Sequence, residues 1–481
     1  MKPTNQLDVR LKDKIGYGMG NFSYGIISQT IATYIVFFGT NILGITGTLI
    51  GLAVSISIIW DGLTDPIMGY VSDHTNSKRF GRRHIYLIMG IIGMAGFNLG
   101  LWFINPNWPM YVKYLLIVLS LLAVKTFITI YTTPYTALGA ELSEDYNERS
   151  SIQGFRTMFF LLGIMTATVM GLFIFFNPTA EYSRGQNNPE AYTNLGVFTT
   201  VIAIVFAVIC IVSTFKYIPF TQRAKLDLEN KKSIKKLFTS FLGALRNKYF
   251  SMVALAYLFT NVSSALLSTL GLHVYTYTFG LDNQETAVAI GIVFMLAVVT
   301  QPMWVSISKK VDKKPAVLIG LGMSLLGSVI FVVLVLMKAY VVEHSLLVYL
   351  TSVILGSGIG GLFSLPLSMI ADSIDFQELS EGIRSEGTYY GVLTLAYKMS
   401  QSIAILFLGI LLDIAKFDSQ LTEQASRTTT MLGLAVGFGC ILSFTAATIC
   451  YLKYDLNRDK VKAMQIVIKE RRNQLINENS L

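Results

Sequence analysis

Twelve apolar runs, each long enough to cross a bilayer, follow one another along this chain. A span needs roughly 20 apolar residues. The first six runs cover about 19–42, 46–71, 84–104, 111–138, 154–176 and 195–218. The second six cover about 249–277, 285–307, 315–338, 345–371, 388–412 and 430–453. In lipid no water satisfies a backbone N–H or C=O, so a run of this length must close its own hydrogen bonds as a helix. The expected fold class is therefore an all-α membrane protein of 12 transmembrane helices. Charged residues are only 14% of the chain, against about 25% in soluble domains. The net charge of +9 sits in short loops between the runs, where positive-inside topology explains it better than nucleic acid does.

The longest polar interior segment, Thr221–Lys248, divides the runs six and six. The organisation expected is a six-helix half over 1–220, a central cytoplasmic loop over 221–248, a second half over 249–453 and a cytoplasmic tail over 454–481. With both termini inside, most of the 38 Lys and Arg fall on cytoplasmic segments, which sets the orientation. The first eighteen residues are polar, so no cleavable signal peptide is expected. Cys210, Cys440 and Cys450 all lie in apolar runs and suggest neither a disulfide nor a metal site.

The halves repeat. Ser72-Asp73 with Lys78, Arg79, Arg82 and Arg83 follows the second run, and SKKVDKKP (308–315) follows the eighth. The fourth run ends PYTALGAELSEDYNER from Pro134 and the tenth PLSMIADSIDFQEL from Pro366, each Pro followed six or seven residues later by an acid, Glu141 or Asp372. Two pseudo-symmetric halves related by an axis along the membrane normal fit this pattern.

Inside the second run stand Asp61 and Asp65, one helical turn apart and so on one face. Each costs about 2.5–3.5 kcal/mol at a helix centre, roughly 5–7 together. A bound cation is the simplest compensation; a structural ion pair is the competing reading, and no base lies between the two acids. Lys125, near the middle of the fourth run, either snorkels outward or pairs with the acids and replaces a metal cation. Lys398, about ten residues into the eleventh run, is too deep to snorkel easily. Arg156 stands at a span edge. At the cytoplasmic helix ends, Asp73, Arg82, Arg149, Asp375 and Arg384, with Arg83, Asp145, Glu381 and Glu386 beside them, are candidates for gating ion pairs; solvated topology charge is the alternative. Four scattered histidines supply no nucleophile–base pair or metal cluster, so the chain is not expected to be an enzyme.

Four stretches carry a family likeness: KIGYGMGNF in the first run, WDGLTDPIMGYVSDHTNSKRFGRR in the second, PYTALGAELSEDYNERSSIQGFR at the fourth-to-fifth junction, and ADSIDFQELSEGIRSEGTYYGVLTLAYK entering the eleventh. With these the chain resembles the major facilitator superfamily, and within it the glycoside–pentoside–hexuronide:cation symporters, over nearly its whole length. The resemblance implies the major facilitator fold, with a cation site at Asp61 and Asp65 assisted by Thr64 and Thr129. It implies substrate contacts at Tyr24, Arg156, Thr394 and Lys398, with Thr132 and Lys125 as further candidates. Two acids that hold galactoside hydroxyls in the melibiose permease align with Gly25 and Thr132 here. A site that keeps its bases and loses those acids suits an acidic sugar such as a hexuronide. The expected function is cation-coupled symport of a sugar, glycoside or hexuronide by a monomer in the cytoplasmic membrane, both termini inside. Sodium or protons would be the coupling ion, and no resident cofactor is expected. A lysolipid carrier of the same fold and an uncoupled sugar facilitator are the alternatives; a non-transporting sensor or enzyme fits less well.

Overall fold

A computed structural model describes residues 9–75, 77, 79–143, 146–182, 184–219, 243–382, 386–418, 421 and 423–478. Among them every regular element is a helix. Eleven are long and apolar enough to cross a membrane, and two further helices that meet at a bend of 44° have together the length and composition of a twelfth. The all-α fold with spans enough for the 12 expected above is therefore present. The chain forms two compact units, the first of residues 1–234, 281–287 and 405–425, the second of 235–280, 288–404 and 426–481.

In the first unit the spans are α1 (Leu11–Phe37, continued by a π turn Phe38–Ile42), α2 (Gly47–His74), α3 (Gly81–Trp102), α4 (Met110–Glu141), α5 (Tyr146–Met165, then a π turn and the short α6, Gly171–Ile174) and α7 (Pro189–Thr214). Helix α1 packs against α5 and α7, α3 against α4 and α7, and α2 against α4. Helix α1 starts eight residues before the apolar run that announced it. Its polar first turns are held inside the unit because Asp13, buried, accepts from Lys216 Nζ at 2.7 Å and Tyr217 Oη at 3.0 Å.

The second unit holds α8 (Lys248–His273), α9 (Asn283–Val299) with α10 (Gln301–Val311), α11 (Lys313–Leu336), the short α12 (Lys338–Glu343), α13 (Leu346–Glu381), α14 (Glu386–Ile414) and α15 (Ser426–Leu452). Residues 283–287 of α9 and the end of α14 cluster with the first unit. The 44° bend falls where Pro302 enters the first turn of α10; proline has no N–H to return to the preceding turn, so the helix breaks there. Helix α8 packs on α15, α11 on α13, and α11 on α15, repeating within this unit the pairings α1–α7, α3–α4 and α3–α7 of the first.

Outward faces are apolar at helical spacing. On α7, Val201, Val205, Val208 and Val212 are all exposed, as are Leu326, Val329, Val333 and Leu336 on α11. Such stripes are what a lipid solvent requires and a water-facing surface avoids. The tail forms α16 (Arg458–Glu478), which lies on α13 through Val461, Met464 and Ile468. The central segment 220–242 lies outside the described residues.

Candidate functional site

Helix α2 carries the acid pair and α4 faces it. Asp61 is 4% exposed and Asp65 is half-buried. Thr129 Oγ1 of α4 lies 2.7 Å from Asp61 Oδ1 and 3.0 Å from Asp65 Oδ1. A hydroxyl has one proton, so it serves one carboxylate at a time and offers its lone pairs to whatever else enters. Thr64 Oγ1 stands 3.3 Å from Thr129 Oγ1 and donates to the backbone of its own preceding turn, Trp60 O at 3.0 Å or Asp61 O at 3.2 Å. The four residues expected to form a cation site therefore stand next to one another, the Thr129 hydroxyl touching both carboxylates and lying beside the Thr64 hydroxyl. Oxygens of this kind suit a hard cation. Lys125, half-buried, lies one turn from Thr129 on the same helix.

Helix α5 contributes the next group. Arg156 Nη1 donates to Gln153 Oε1 at 3.0 Å, and the guanidinium lies 5.9 Å from the Tyr135 ring centroid. Asn21 of α1 donates to the Arg156 carbonyl at 3.0 Å. One turn further along α5, Phe160 stacks on Tyr24 of α1 with centroids 5.3 Å apart. Thr132 is half-buried on α4. In the second unit, Thr394 and Lys398 lie one turn apart on α14, Thr394 donating to Tyr390 O at 3.0 Å and Lys398 half-buried.

The charged helix ends form braces inside each unit. Arg83 Nε and Nη2 donate to Glu141 Oε1 at 3.0 and 2.6 Å, while Arg83 Nη1 donates to Ser72 Oγ at 2.7 Å. Arg82 Nη2 is 3.0 Å from the same Glu141 oxygen. In the second unit Lys313 Nζ meets Asp372 Oδ2 at 2.6 Å. Both braces stand in the first turn of a helix beside a residue with positive φ, Gly81 (φ +65°) just before Arg82 and Arg83, and Asp312 (φ +80°) just before Lys313. Gly81 holds that conformation at no steric cost; Asp312 compensates by accepting from Lys313 N at 2.6 Å. Asp375 accepts from Gln465 of α16 at 2.9 Å. The side chains of Asp73, Arg149 and Glu386, and the residues Asp145 and Arg384, lie outside the description.

Sequence reasoning placed Glu141 in the repeat but not among the site residues, and passed over Gln153, Tyr135, Phe160 and Gln465. Gln153 was accessible from its i,i+3 spacing to Arg156. The other three reach their partners across helices, which spacing along one helix does not reveal.

Helices with lipid-facing stripes in two similarly packed sets, with an acid pair inside one of the spans, describe a multi-pass membrane protein. The chain belongs to the MFS/sugar transport protein family, whose model it matches over residues 16–458. Members of this family are transporters, not enzymes. The chain is 23% identical to an isoprimeverose transporter of Lactiplantibacillus pentosus, covering 94% of this chain and 90% of that one. It is 21% identical to the sodium-dependent lysophosphatidylcholine symporter 1-A of Danio rerio, over 93% of this chain and 86% of that one. In fold it is similar to the xylose transporter XylE of E. coli in an inward-open conformation, with a TM-score of 0.62, 13% identity, and coverage of 94% and 98%.

Proposed function

We propose that the protein is a cation-coupled symporter that carries a sugar, glycoside or hexuronide across the cytoplasmic membrane by alternating access. The observation that carries this reading is the cluster of Asp61, Asp65, Thr64 and Thr129 oxygens on α2 and α4. Sodium or a proton entering that cluster offsets the cost of the two carboxylates, so the loaded and empty forms of the site differ in energy. A ligand moves a conformational equilibrium only by such a difference. One charge moving down 100 mV supplies about 2.3 kcal/mol, enough for roughly 50-fold accumulation. Arg156, Tyr24, Thr394 and Lys398 are the proposed substrate contacts, with Thr132 and Lys125 as further candidates. Arg82 and Asp375, with Asp73, Arg149 and Arg384, are proposed to control separation of the cytoplasmic helix ends.

The test is uptake into proteoliposomes of labelled neutral glycosides, pentosides, hexuronides and a lysolipid, with sodium and proton gradients imposed separately. Accumulation of a glycoside or hexuronide driven by one gradient supports the proposal. The similarity to a lysophosphatidylcholine symporter favours a second reading, an amphiphile carrier; gradient-driven uptake of the lysolipid alone would establish it. Equilibration without accumulation under both gradients would identify a facilitator.

A further inference from the structure

Arg156 occupies an unusual electrostatic position. It lies half-buried within the span 151–174, where a charge is costly unless compensated. The one acid of α5, Glu148, is engaged 2.8 Å from Lys14. Among the described residues no carboxylate forms an ion pair with Arg156. Among the described residues, the groups that hold its guanidinium are neutral: the Gln153 amide at 3.0 Å and the face of Tyr135. The amide fixes one edge of the planar fork and leaves the charge uncancelled, and a fork of this geometry pairs bidentately with carboxylate or phosphate.

From this arrangement we infer that Gln153 is a specificity-determining residue: by orienting Arg156 without neutralising it, it selects substrates that bring their own anionic group. Glutamate has the shape of glutamine and would place a carboxylate oxygen where the amide oxygen now sits, pairing Arg156 internally. Residue 153 thereby sets the choice between anionic and neutral substrates. The Tyr24–Phe160 stack, one turn along α5 from Arg156, supplies apolar aromatic surface of the kind that takes the face of a sugar ring. The inference rests on the proposed sugar-carrier reading for the rest of the substrate. The anionic chemistry itself is shared by a uronate and by a phosphate ester.

The experiment measures thermal stabilisation of the detergent-solubilised full chain by glucuronate, by glycerol phosphate (an anion without a sugar ring) and by methyl glucoside (a ring without an anion). Proteoliposome uptake of glucuronate and methyl glucoside is measured in parallel. For wild type the expected result is stabilisation by anions and little by the neutral glycoside. For Gln153→Glu the expected result is an anion affinity at least about tenfold weaker, a raised KM for glucuronate with kcat little changed, and neutral uptake retained. Gln153→Ala, which loosens Arg156 but leaves it charged, keeps the anion preference at a reduced affinity. Arg156→Gln abolishes the preference and excludes anion binding elsewhere. The inference is overturned if wild type is stabilised by neither anion, if Gln153→Glu keeps the anion preference, or if Gln153→Glu and Gln153→Ala lose both substrates in equal proportion. Stabilisation of wild type by both anions, weakened about tenfold in Gln153→Glu, without uptake of either sugar would support the role of Gln153 and overturn the sugar reading alone.

Discussion

The hydroxyl of Thr129 is the smallest group in the proposed coupling site. It touches both carboxylates of α2, at 2.7 and 3.0 Å, and hydrogen bonds to charged groups contribute about 1.5–3 kcal/mol each. Thr129→Val keeps the shape and removes the oxygen; the cation concentration giving half-maximal uptake should rise about tenfold, with maximal uptake little changed. An unaltered cation dependence would remove Thr129 from the site. Lys125, one turn away, tests the competing arrangement: Lys125→Ala should create or strengthen sodium dependence if its ammonium stands in for a metal cation, and leave the dependence unchanged if it snorkels. At this scale the sequence was informative where chemistry is expensive. Two acids in an apolar run declare themselves by their cost, and the resemblance pointed to Thr129, which bridges them, and to Thr64 beside it. It was silent where the partner is neutral and on another helix, as with Tyr135 beneath Arg156 and Phe160 beneath Tyr24.

Among the elements, the repeated brace deserves a direct test because it appears once in each unit from independent residues. Glu141 joins α3 to α4 through Arg83, whose side chain is 5% exposed; Asp372 joins α11 to α13 through Lys313. Removing one partner of a buried pair costs about 3–5 kcal/mol because the other charge is stranded. Glu141→Ala should therefore lower the unfolding midpoint markedly, and adding Arg82→Met and Arg83→Met to Glu141→Leu should recover much of the loss, since both guanidiniums share that carboxylate. A second element-level contact concerns α2 itself. Asp413, at the end of α14, accepts from Gly47 N at 2.9 Å and Thr48 N at 2.8 Å, capping the N-terminus of α2 where Thr46 makes no side-chain cap. Asp413→Ala should cost about 0.5–2 kcal/mol of thermal stability, whereas Asp413→Asn, which keeps one acceptor, should cost less. Helix existence and order were legible throughout, because twelve apolar runs leave no other backbone solution in lipid. The boundaries were less so. Helix α1 begins early because Lys216 and Tyr217 hold Asp13 inside, and α13 runs ten residues past its apolar run to Glu381, its inner turns packed against α16. Both extensions depend on contacts between distant segments.

For the whole molecule, the charge distribution predicts both termini in the cytoplasm. Cysteines placed one at a time near residues 9 and 478, with the native thiols replaced, should be labelled by an impermeant maleimide only in inside-out vesicles; labelling in right-side-out vesicles would reverse the topology. The six-plus-six organisation could be read from the repeated Pro-to-acid spacing, and the repeat of helix pairings in the two units extends it to packing. The substrate could not be read at the same level, since cavity chemistry depends on a few side chains brought together from many helices. The central claim is that the α2 acid pair couples cation movement to transport. It is tested most directly by comparing accumulation with equilibrium exchange of one transported substrate in proteoliposomes bearing Asp61→Asn or Asp65→Asn. The account predicts that gradient-driven accumulation falls to simple equilibration while exchange persists. Accumulation at the wild-type level in both variants would contradict it.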